Sequence, residues 1–365
     1  GANLARRYNP AMNSVSADEW QGILEGYIAE RYFPGAALAV VTPEGVTSVY
    51  AGRFTYDAAS KVVGADSLWD MASVTKVMAT TSVVMRLVDR GELDLEELIS
   101  DDLPQVNAPG VTYEDCLRHE GGWAPYVSLE EDADANVEAN RVRLLAQMPV
   151  APRRTATVYS CLGMQILTAA LEHRTGRTLS QLFAEEVSGP MGLTSTTFHP
   201  EARDHCVPTE ENPPWRMRVA KERNEDDANA PFTQGSVHDP ACYLLGGAAG
   251  NAGIFSTLND TIQWAKYIVG IESGWVKPET RQMFAKPRIP GGRAIGFDCP
   301  SPDGFLAGVN LPSGSYGHLG FTGTLAWFEP LHQTVLVLLT NRVHPHRDIS
   351  NIYAVRRNIS GCLWK

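Results

Sequence analysis

Short apolar segments lie near both ends of this chain of 365 residues, and helical patterns fill the region between them. Near the N terminus, Ala36 to Val41 ends at a Thr-Pro-Glu-Gly turn, and Val46 to Tyr50 follows as its hairpin partner. Near the C terminus, residues 321–329 and 334–340 flank a turn at Pro330. Strands at both ends with helices between them predict an α+β fold (an α/β sandwich), in which both chain ends build one antiparallel sheet around a helical insertion.

The organisation along the chain predicts one catalytic unit after a short polar leader. We assign residues 1–18 to the leader and residues 19–365 to the unit. Within the unit, residues 19–70 and 235–365 are expected to contain the sheet, and residues 71–234 are expected to be rich in helix. Residues 203–235 are rich in charge, Pro and Asn, which predicts a long irregular connection.

A Ser-x-x-Lys sequence, Ser73 to Lys76, opens the first strongly apolar helical pattern of the middle region. The pattern runs from Val77 to Asp89 and stops at Gly91. On a helix, this spacing puts the hydroxyl and the amine one turn apart on the same face. A lysine in the first turn of a buried helix needs a partner or a lowered pKa, and catalytic lysines arise in this way. The motif is weak by itself, but its buried context favours an activated serine nucleophile.

Further motifs follow in a fixed order. Tyr159-Ser160 opens the next helical pattern, and Gly317 to Thr324 (Gly-His-Leu-Gly-Phe-Thr-Gly-Thr) lies in the C-terminal strand region. Together with Ser73-x-x-Lys76, these motifs resemble the serine β-lactamase and penicillin-binding-protein superfamily, on its class C-like branch. The resemblance covers about residues 19–358. That branch also holds carboxylesterases and D-alanyl peptidases, so the resemblance implies a β-lactamase/transpeptidase-like fold and a β-lactamase-related serine hydrolase.

The resemblance also implies roles for matching residues. Ser73 would be the acylated nucleophile, and Lys76 and Tyr159 would share the work of the base, with the pKa of Tyr159 lowered by the nearby ammonium. The backbone amides of Ser73 and Phe321 would form the oxyanion hole. Four further residues are predicted to contact the substrate: His318, Gly320, Cys161 and Trp123.

Two positions depart from the family pattern. Cys161 stands where an Asn usually follows the Tyr motif, and His318 stands where true class C lactamases have Lys. A thiol is a poor substitute for an amide, and histidine carries no permanent positive charge. Both changes argue against an efficient lactamase and fit a small-ester hydrolase better. The predicted substrate is a carboxylic ester or a D-amino-acid or muropeptide-type amide. The alternatives are a β-lactamase, a non-catalytic penicillin-binding sensor or scaffold, and acyl transfer to an alcohol or amine.

Composition restricts the partners. The net charge of −11 argues against nucleic acid, and no stretch approaches the length of a membrane span. The sequence indicates a small-molecule ester, amide or β-lactam substrate, predicts no cofactor and no metal, and leaves the oligomeric state open. The scattered cysteines favour a cytoplasmic protein, with export after removal of a signal as the alternative.

His119 is expected to be structural, and His238-Asp239 to be a loop-anchoring pair or a dyad.

Overall fold

The computed structural model describes residues 13–301, 306, 311–348 and 350–364. Most of the predicted polar leader, residues 1–12, lies outside this part. The first helix, α1, spans Ala17–Ala29. It begins there because the Ser16 hydroxyl accepts a hydrogen bond from the Glu19 amide, while the Glu19 carboxylate accepts one from the Ser16 amide.

The sheet confirms the prediction that both chain ends contribute strands. Within the described residues it has five antiparallel strands in the order β2-β1-β7-β6-β5. Ala36 lies opposite Thr340, and Val41 lies opposite Val335, so the first strand and the last are direct neighbours. A separate two-stranded ladder joins β3 and β4. The strands are β1 Gly35–Thr42, β2 Gly45–Gly52, β3 Trp69–Asp70, β4 Phe255–Ser256, β5 Tyr316–Leu319, β6 Leu325–Glu329 and β7 Thr334–Thr340.

Helices fill the region between these strands, as predicted, and one helix closes the chain. The helices after α1 are α2 Ser82–Asp89, α3 Ile99–Asp102, α4 Tyr113–Leu117, α5 Val137–Leu145, α6 Cys161–Thr175, α7 Leu179–Phe183, α8 Gly189–Met191, α9 Pro214–Arg223, α10 Pro240–Leu244, α11 Leu258–Val269, α12 Pro278–Phe284 and α13 Ile352–Leu363. In the part of the chain that the structure describes, no helix is long and apolar enough to cross a membrane.

The sheet separates two hydrophobic cores because alternate side chains of each strand point to opposite faces. Leu336 and Leu338 of β7 pack in the smaller core with residues of α1 and α13. Val337 and Leu339 pack in the larger core, which continues through α11 into the helical part. Since β1 and β7 are buried on both faces, their sequences read as nearly continuous apolar runs.

The prediction of a long irregular connection over residues 203–235 is wrong in part. This segment contains α9, which starts at a Pro-Pro pair and ends at Asn224 in the left-handed conformation. Arg216 of α9 is 1% exposed and its Nε lies 3.2 Å from Asp227 Oδ2. Two of the charges that suggested an exposed loop, Arg216 and Asp227, therefore pair inside the protein.

Candidate active site

Ser73 lies on a single tight turn, Ala72–Val74, at the mouth of a pocket. Lys76 begins a π-helical segment, Lys76–Thr81, that continues into α2. The apolar pattern after Lys76 predicted one helix, but its first six residues are wound more widely. The hydroxyl of Thr81 donates to the Lys76 carbonyl at 2.7 Å, and the hydroxyl of Ser82 donates to the Val77 carbonyl at 2.8 Å. Both bonds span five residues, which matches the wider winding.

The amine of Lys76 points at the Ser73 hydroxyl. Lys76 is 0% exposed, and its Nζ lies 3.0 Å from Ser73 Oγ. The same nitrogen donates to the Asn251 carbonyl at 2.9 Å and contacts Cys161 Sγ at 3.4 Å. In the part of the chain that the structure describes, no carboxylate lies within ion-pair distance of this ammonium group. The lysine is therefore held by neutral acceptors in contact with the serine.

Tyr159 lies beside the same pair, just before α6. The Lys76 ammonium lies 4.9 Å from the centroid of its ring. The ring of His119 packs against Tyr159 at 4.7 Å, and His119 Nδ1 accepts a hydrogen bond from the Ser160 amide at 3.0 Å. Ser160 also caps α6, since its hydroxyl accepts from the Gly163 amide. His119 thus has the structural role that we expected, holding the residue next to Tyr159.

Lys76 and Tyr159 both hold their protons at neutral pH. Burial disfavours the ammonium form of Lys76, but Cys161 and Tyr159 favour it more, so the pKa of Lys76 lies above its ordinary value. Burial raises the pKa of Tyr159 more than the Lys76 ammonium lowers it. The expectation that the pKa of Tyr159 falls below its ordinary value is therefore wrong. One proton must leave the pair before either group can act as a base.

His318 is a neutral imidazole in this site. It is 3% exposed, and its Nδ1 lies 2.8 Å from the Leu319 carbonyl, so Nδ1 carries the hydrogen. Burial and the charge of Arg293 hold the pKa of His318 well below its usual range. His318 Nε2 is buried and has no partner among the described residues. The side chain can accept a hydrogen bond from a substrate, but it does not replace the cation of a lysine.

Arginines supply the positive charge of the pocket instead. A cavity of about 120 Å³ lies beside the nucleophile and is lined by Ser73, Tyr159, Arg293, Asp298, His318, Leu319, Gly320, Phe321, Arg342, Tyr353 and Arg356. Arg293 pairs with Asp298 at 3.0 Å. Arg356 donates to the carbonyls of Gly320 and Thr324, and Arg342 donates to that of Phe321. Within the described residues, neither Arg342 nor Arg356 has a carboxylate within ion-pair distance.

Two backbone amides at the pocket have no acceptor. The amides of Ser73 and Phe321 make no hydrogen bond within the described part of the chain. Phe321 follows Gly320, whose added Cβ would lie 1.9 Å from Thr324 Oγ1 and 2.7 Å from the Met71 carbonyl. Only glycine therefore lets the strand approach the nucleophile turn this closely. Such paired free amides can bind an oxyanion.

The structure brings together seven of the eight predicted site residues, and Trp123 is the exception. Trp123 is 2% exposed and does not line the pocket. Its indole lies under Gly163 of α6, where an added Cβ would be 2.9 Å from the ring. The predicted substrate contact is corrected here: Trp123 is a core residue that sets the position of α6.

The predicted pair His238-Asp239 is not a dyad. His238 Nε2 lies 2.8 Å from Glu210 Oε2, whereas Asp239 caps α10 by accepting from the Cys242 amide. The pair therefore anchors loops, as the first of our two readings proposed. No group of three or more metal-ligating side chains occurs in the described ranges.

The pocket arginines are candidate functional residues that the motifs missed. One signal was present for Arg356. It lies at the spacing of the apolar face of α13, with Ile352 and Ile359, and is 2% exposed. A charged residue on the buried face of a helix indicates either a partner or a binding role.

This chain is similar in sequence to known proteins over most of its length. The family model described as Beta-lactamase matches residues 20–358. An N-acetylmuramyl-L-alanine amidase of Bacillus subtilis (strain 168) is 26% identical over 356 residues, which cover 86% of this chain and 78% of the relative.

Solved structures have the same fold. EstCE1, a hydrolase with promiscuous acyltransferase activity, has a TM-score of 0.73 at 20% identity, covering 93% of this chain and 97% of that one. The D-alanine carboxypeptidase AmpC from Burkholderia cenocepacia has a TM-score of 0.67 at 16% identity, covering 93% and 96%. With the family model spanning almost the whole sequence, the chain belongs to the Beta-lactamase family of serine hydrolases.

Proposed function

We propose that this protein forms an acyl-enzyme on Ser73 and hydrolyses an ester or a D-amino-acid amide that carries a carboxylate. The observation that carries the proposal is the buried Lys76 amine, 3.0 Å from the Ser73 hydroxyl at the mouth of the pocket. A serine hydroxyl is a weak nucleophile until a neighbouring base takes its proton. Lys76 and Tyr159 are the groups that can do so.

The reaction follows from the positions of these groups. After the Lys76–Tyr159 pair loses one proton, it accepts the proton of Ser73 while Oγ attacks the substrate carbonyl carbon. The oxyanion that forms accepts hydrogen bonds from the amides of Ser73 and Phe321. The pair then gives the proton to the leaving alcohol or amine as the carbonyl–heteroatom bond breaks. Water attacks the acyl-enzyme by the same steps in reverse order and releases the acid.

The arginines define the chemistry of the substrate. Burial lowers the pKa of Arg356 to about 9, which still leaves the guanidinium charged at neutral pH. Arg342 and Arg356 both line the cavity, and among the described residues they bond only to backbone carbonyls. A buried cation with no counterion favours an anionic ligand. A carboxylate matches a guanidinium in shape and in charge.

The relatives support the same substrate class. The amidase and the D-alanine carboxypeptidase named above act, by their names, on amide bonds of amino-acid substrates. A β-lactamase activity is less well supported, because His318 is neutral and Cys161 presents a thiol to Lys76 in place of an amide.

Intact-mass spectrometry tests the acyl-enzyme. Wild type and Ser73→Ala are mixed with p-nitrophenyl acetate, and mass and released nitrophenol are followed over time. We expect a transient gain of one acetyl group in wild type and neither adduct nor turnover in Ser73→Ala. Turnover retained by Ser73→Ala would contradict the proposal. Thr75→Val serves as a neighbouring-hydroxyl control, since Thr75 Oγ1 only accepts from the Ile254 amide.

A pair of esters tests whether the pocket arginines bind a carboxylate of the substrate. The two esters share one acyl group, and their phenolic leaving groups differ by one carboxylate. In Arg356→Met we expect KM for the anionic ester to rise by about tenfold or more, as for a lost charge-assisted hydrogen bond, and KM for the neutral ester to change little. An equal rise in KM for both esters would mean that Arg356 acts only by supporting the strand whose carbonyls it binds.

A further inference from the structure

A buried carboxylate joins the nucleophile turn to a distant loop. Asp70 is 3% exposed. Its Oδ1 accepts from the Ala72 amide at 2.8 Å, and its Oδ2 accepts from the His238 amide at 2.7 Å. Ala72 has a φ of +46°, a left-handed conformation that costs a residue with a Cβ roughly 1–2 kcal/mol. The Asp70 bond holds this alanine in place directly before Ser73.

The imidazole of His238 reaches the other side of the pocket. It stacks on the Phe321 ring, with the centroids 5.7 Å apart and the planes at 17°. His238 Nε2 lies 2.8 Å from Glu210, and Glu210 accepts two further bonds from Arg347 at 2.7 and 2.9 Å. Burial opposes the charge of Glu210, but the bonds from His238 and Arg347 hold its pKa well below its usual range.

Cations enclose the Phe321 ring as well. The guanidinium of Arg342 lies 4.4 Å from its centroid, and that of Arg347 lies 5.3 Å away. The Arg342 Nε also donates to the Phe321 carbonyl at 2.7 Å. The side chain is 45% exposed, so these contacts and the His238 stack, rather than a buried core, fix its place. The contacts on its ring and on its carbonyl together restrict the position of the residue that carries this free amide.

We propose that His238 is a positioning residue for the oxyanion hole, because its backbone amide fixes the Ser73 side through Asp70 and its ring fixes the Phe321 side. The inference rests on the proposed function, in which the amides of Ser73 and Phe321 bind the oxyanion. An oxyanion hole stabilises the transition state only when its donors are already placed, because moving them during the reaction costs free energy. Ser73 and Phe321 belong to separate parts of the chain, and His238 contacts both sides.

Two substitutions separate the two contacts. His238→Ala removes the ring and keeps the backbone amide, so it frees Phe321 alone. Asp70→Asn keeps the shape but leaves one of the two amides, that of Ala72 or that of His238, without an acceptor, so it weakens the link between the Ser73 turn and the His238 backbone and keeps the His238 ring. His238→Phe keeps an aromatic stack on Phe321 and loses the Glu210 bond. The control is His344→Ala, because His344 is also buried, bonds to the Thr209 carbonyl and packs on Phe232, away from the pocket.

The readout is the rate ratio between an oxygen ester and the matching thionoester. Carbonyl sulfur accepts hydrogen bonds poorly, so an ordered oxyanion hole favours the oxygen ester. For His238→Ala we expect kcat on the oxygen ester to fall by about 10- to 100-fold, less than the loss of a whole oxyanion donor. We expect KM of His238→Ala to change little and its rate ratio to fall together with kcat. His238→Phe should recover part of kcat and part of the rate ratio. Asp70→Asn should lower the ratio as well.

The outcomes distinguish this inference from the proposed function. Unchanged kcat and rate ratio in both His238→Ala and Asp70→Asn would overturn the inference while Ser73→Ala stays inactive. If kcat of His238→Ala fell while the ratio of oxygen-ester to thionoester rates stayed unchanged, His238 would have a structural role only. The same conclusion would follow if His344→Ala lowered kcat and this ratio as much as His238→Ala does. Activity retained by Ser73→Ala would instead remove the proposed function, and the inference with it.

Discussion

The proton shared by Lys76 and Tyr159 sets the expected pH dependence. Because the pKa of each group is raised, the form of the pair that has lost one proton is a minor species at pH 7. Its population grows about tenfold with each pH unit below the pKa of the pair, so kcat/KM should rise steadily from about pH 7 to pH 9. The pKa values of His119 and His318 lie well below their usual range, so neither adds a step near neutrality.

Steady-state kinetics on an uncharged ester measures this profile. His318→Gln provides the control, since the profile should keep its shape when the imidazole is gone. A flat profile from pH 6 to pH 9 would contradict the assignment, because it would mean that the base is already free at neutral pH.

At the residue scale, the sequence predicted which reactive side chains lie together better than it predicted the groups that hold them. Ser73, Lys76 and Tyr159 lie side by side, as their motifs indicated, and their roles in acylation stay a prediction. The neutral state of His318 could not be found, since it depends on burial and on Arg293, from a separate segment. The Glu210 partner of His238 was also missed, because pairing of side chains across two loops leaves no periodic signal.

At the scale of elements, the turn after Phe321 leaves little room for a side chain. Gly323 has a φ of +108°, and an added Cβ would lie 1.9 Å from Thr340 Oγ1. We expect Gly323→Ala to lower the free energy of unfolding by about 2 kcal/mol or more, from strain and overpacking, and to lower kcat because the turn that carries the Phe321 amide shifts. Chemical denaturation and ester kinetics measure the two effects.

Gly314→Ala is the matched control for this prediction. Gly314 also has a positive φ, +78°, but nothing lies within 4 Å of its added Cβ. This variant should lose only about 1 kcal/mol, the conformational cost, and keep its kcat. If Gly323→Ala and Gly314→Ala lost equal amounts of unfolding free energy, the backbone conformation, and not the contact with Thr340, would account for the cost of the substitution.

The sequence predicted several elements with the correct type, and the errors have physical causes. Strands β1 and β7 and helix α6 were expected nearly at their observed positions because each has a strong apolar pattern and a clear stop, such as Gly176 in the left-handed conformation after α6. Helix α9 was missed because its sequence is rich in charged residues and has few apolar ones, although Val219 and Ala220 are buried. The π-helical segment before α2 was missed because an apolar periodicity does not distinguish it from an α-helix.

At the scale of the whole molecule, the larger core argues for one cooperative unit. It runs without a break from Leu339 of β7 to Leu167 of α6, and both side chains are 0% exposed. The proposed catalytic groups come from both regions, since Lys76 and Tyr159 lie in the helical part and Phe321 lies beyond β5. A site divided in this way keeps its geometry only if the two regions fold together.

Denaturation of two core variants tests this unity. Leu339→Ala and Leu167→Ala should each lower the free energy of unfolding by about 2–5 kcal/mol, the usual cost of a large-to-small change in a core. Because the regions share one core, each substitution should shift a single urea transition, seen alike by tryptophan fluorescence, far-UV circular dichroism and loss of esterase activity. If the sheet and the helical part were separate domains, Leu167→Ala would split the curve into two transitions and move only one. In that case the two regions would separate between Ser73 and Phe321 before either region unfolds. Activity would then be lost at a lower urea concentration than the one that changes the fluorescence and the circular dichroism.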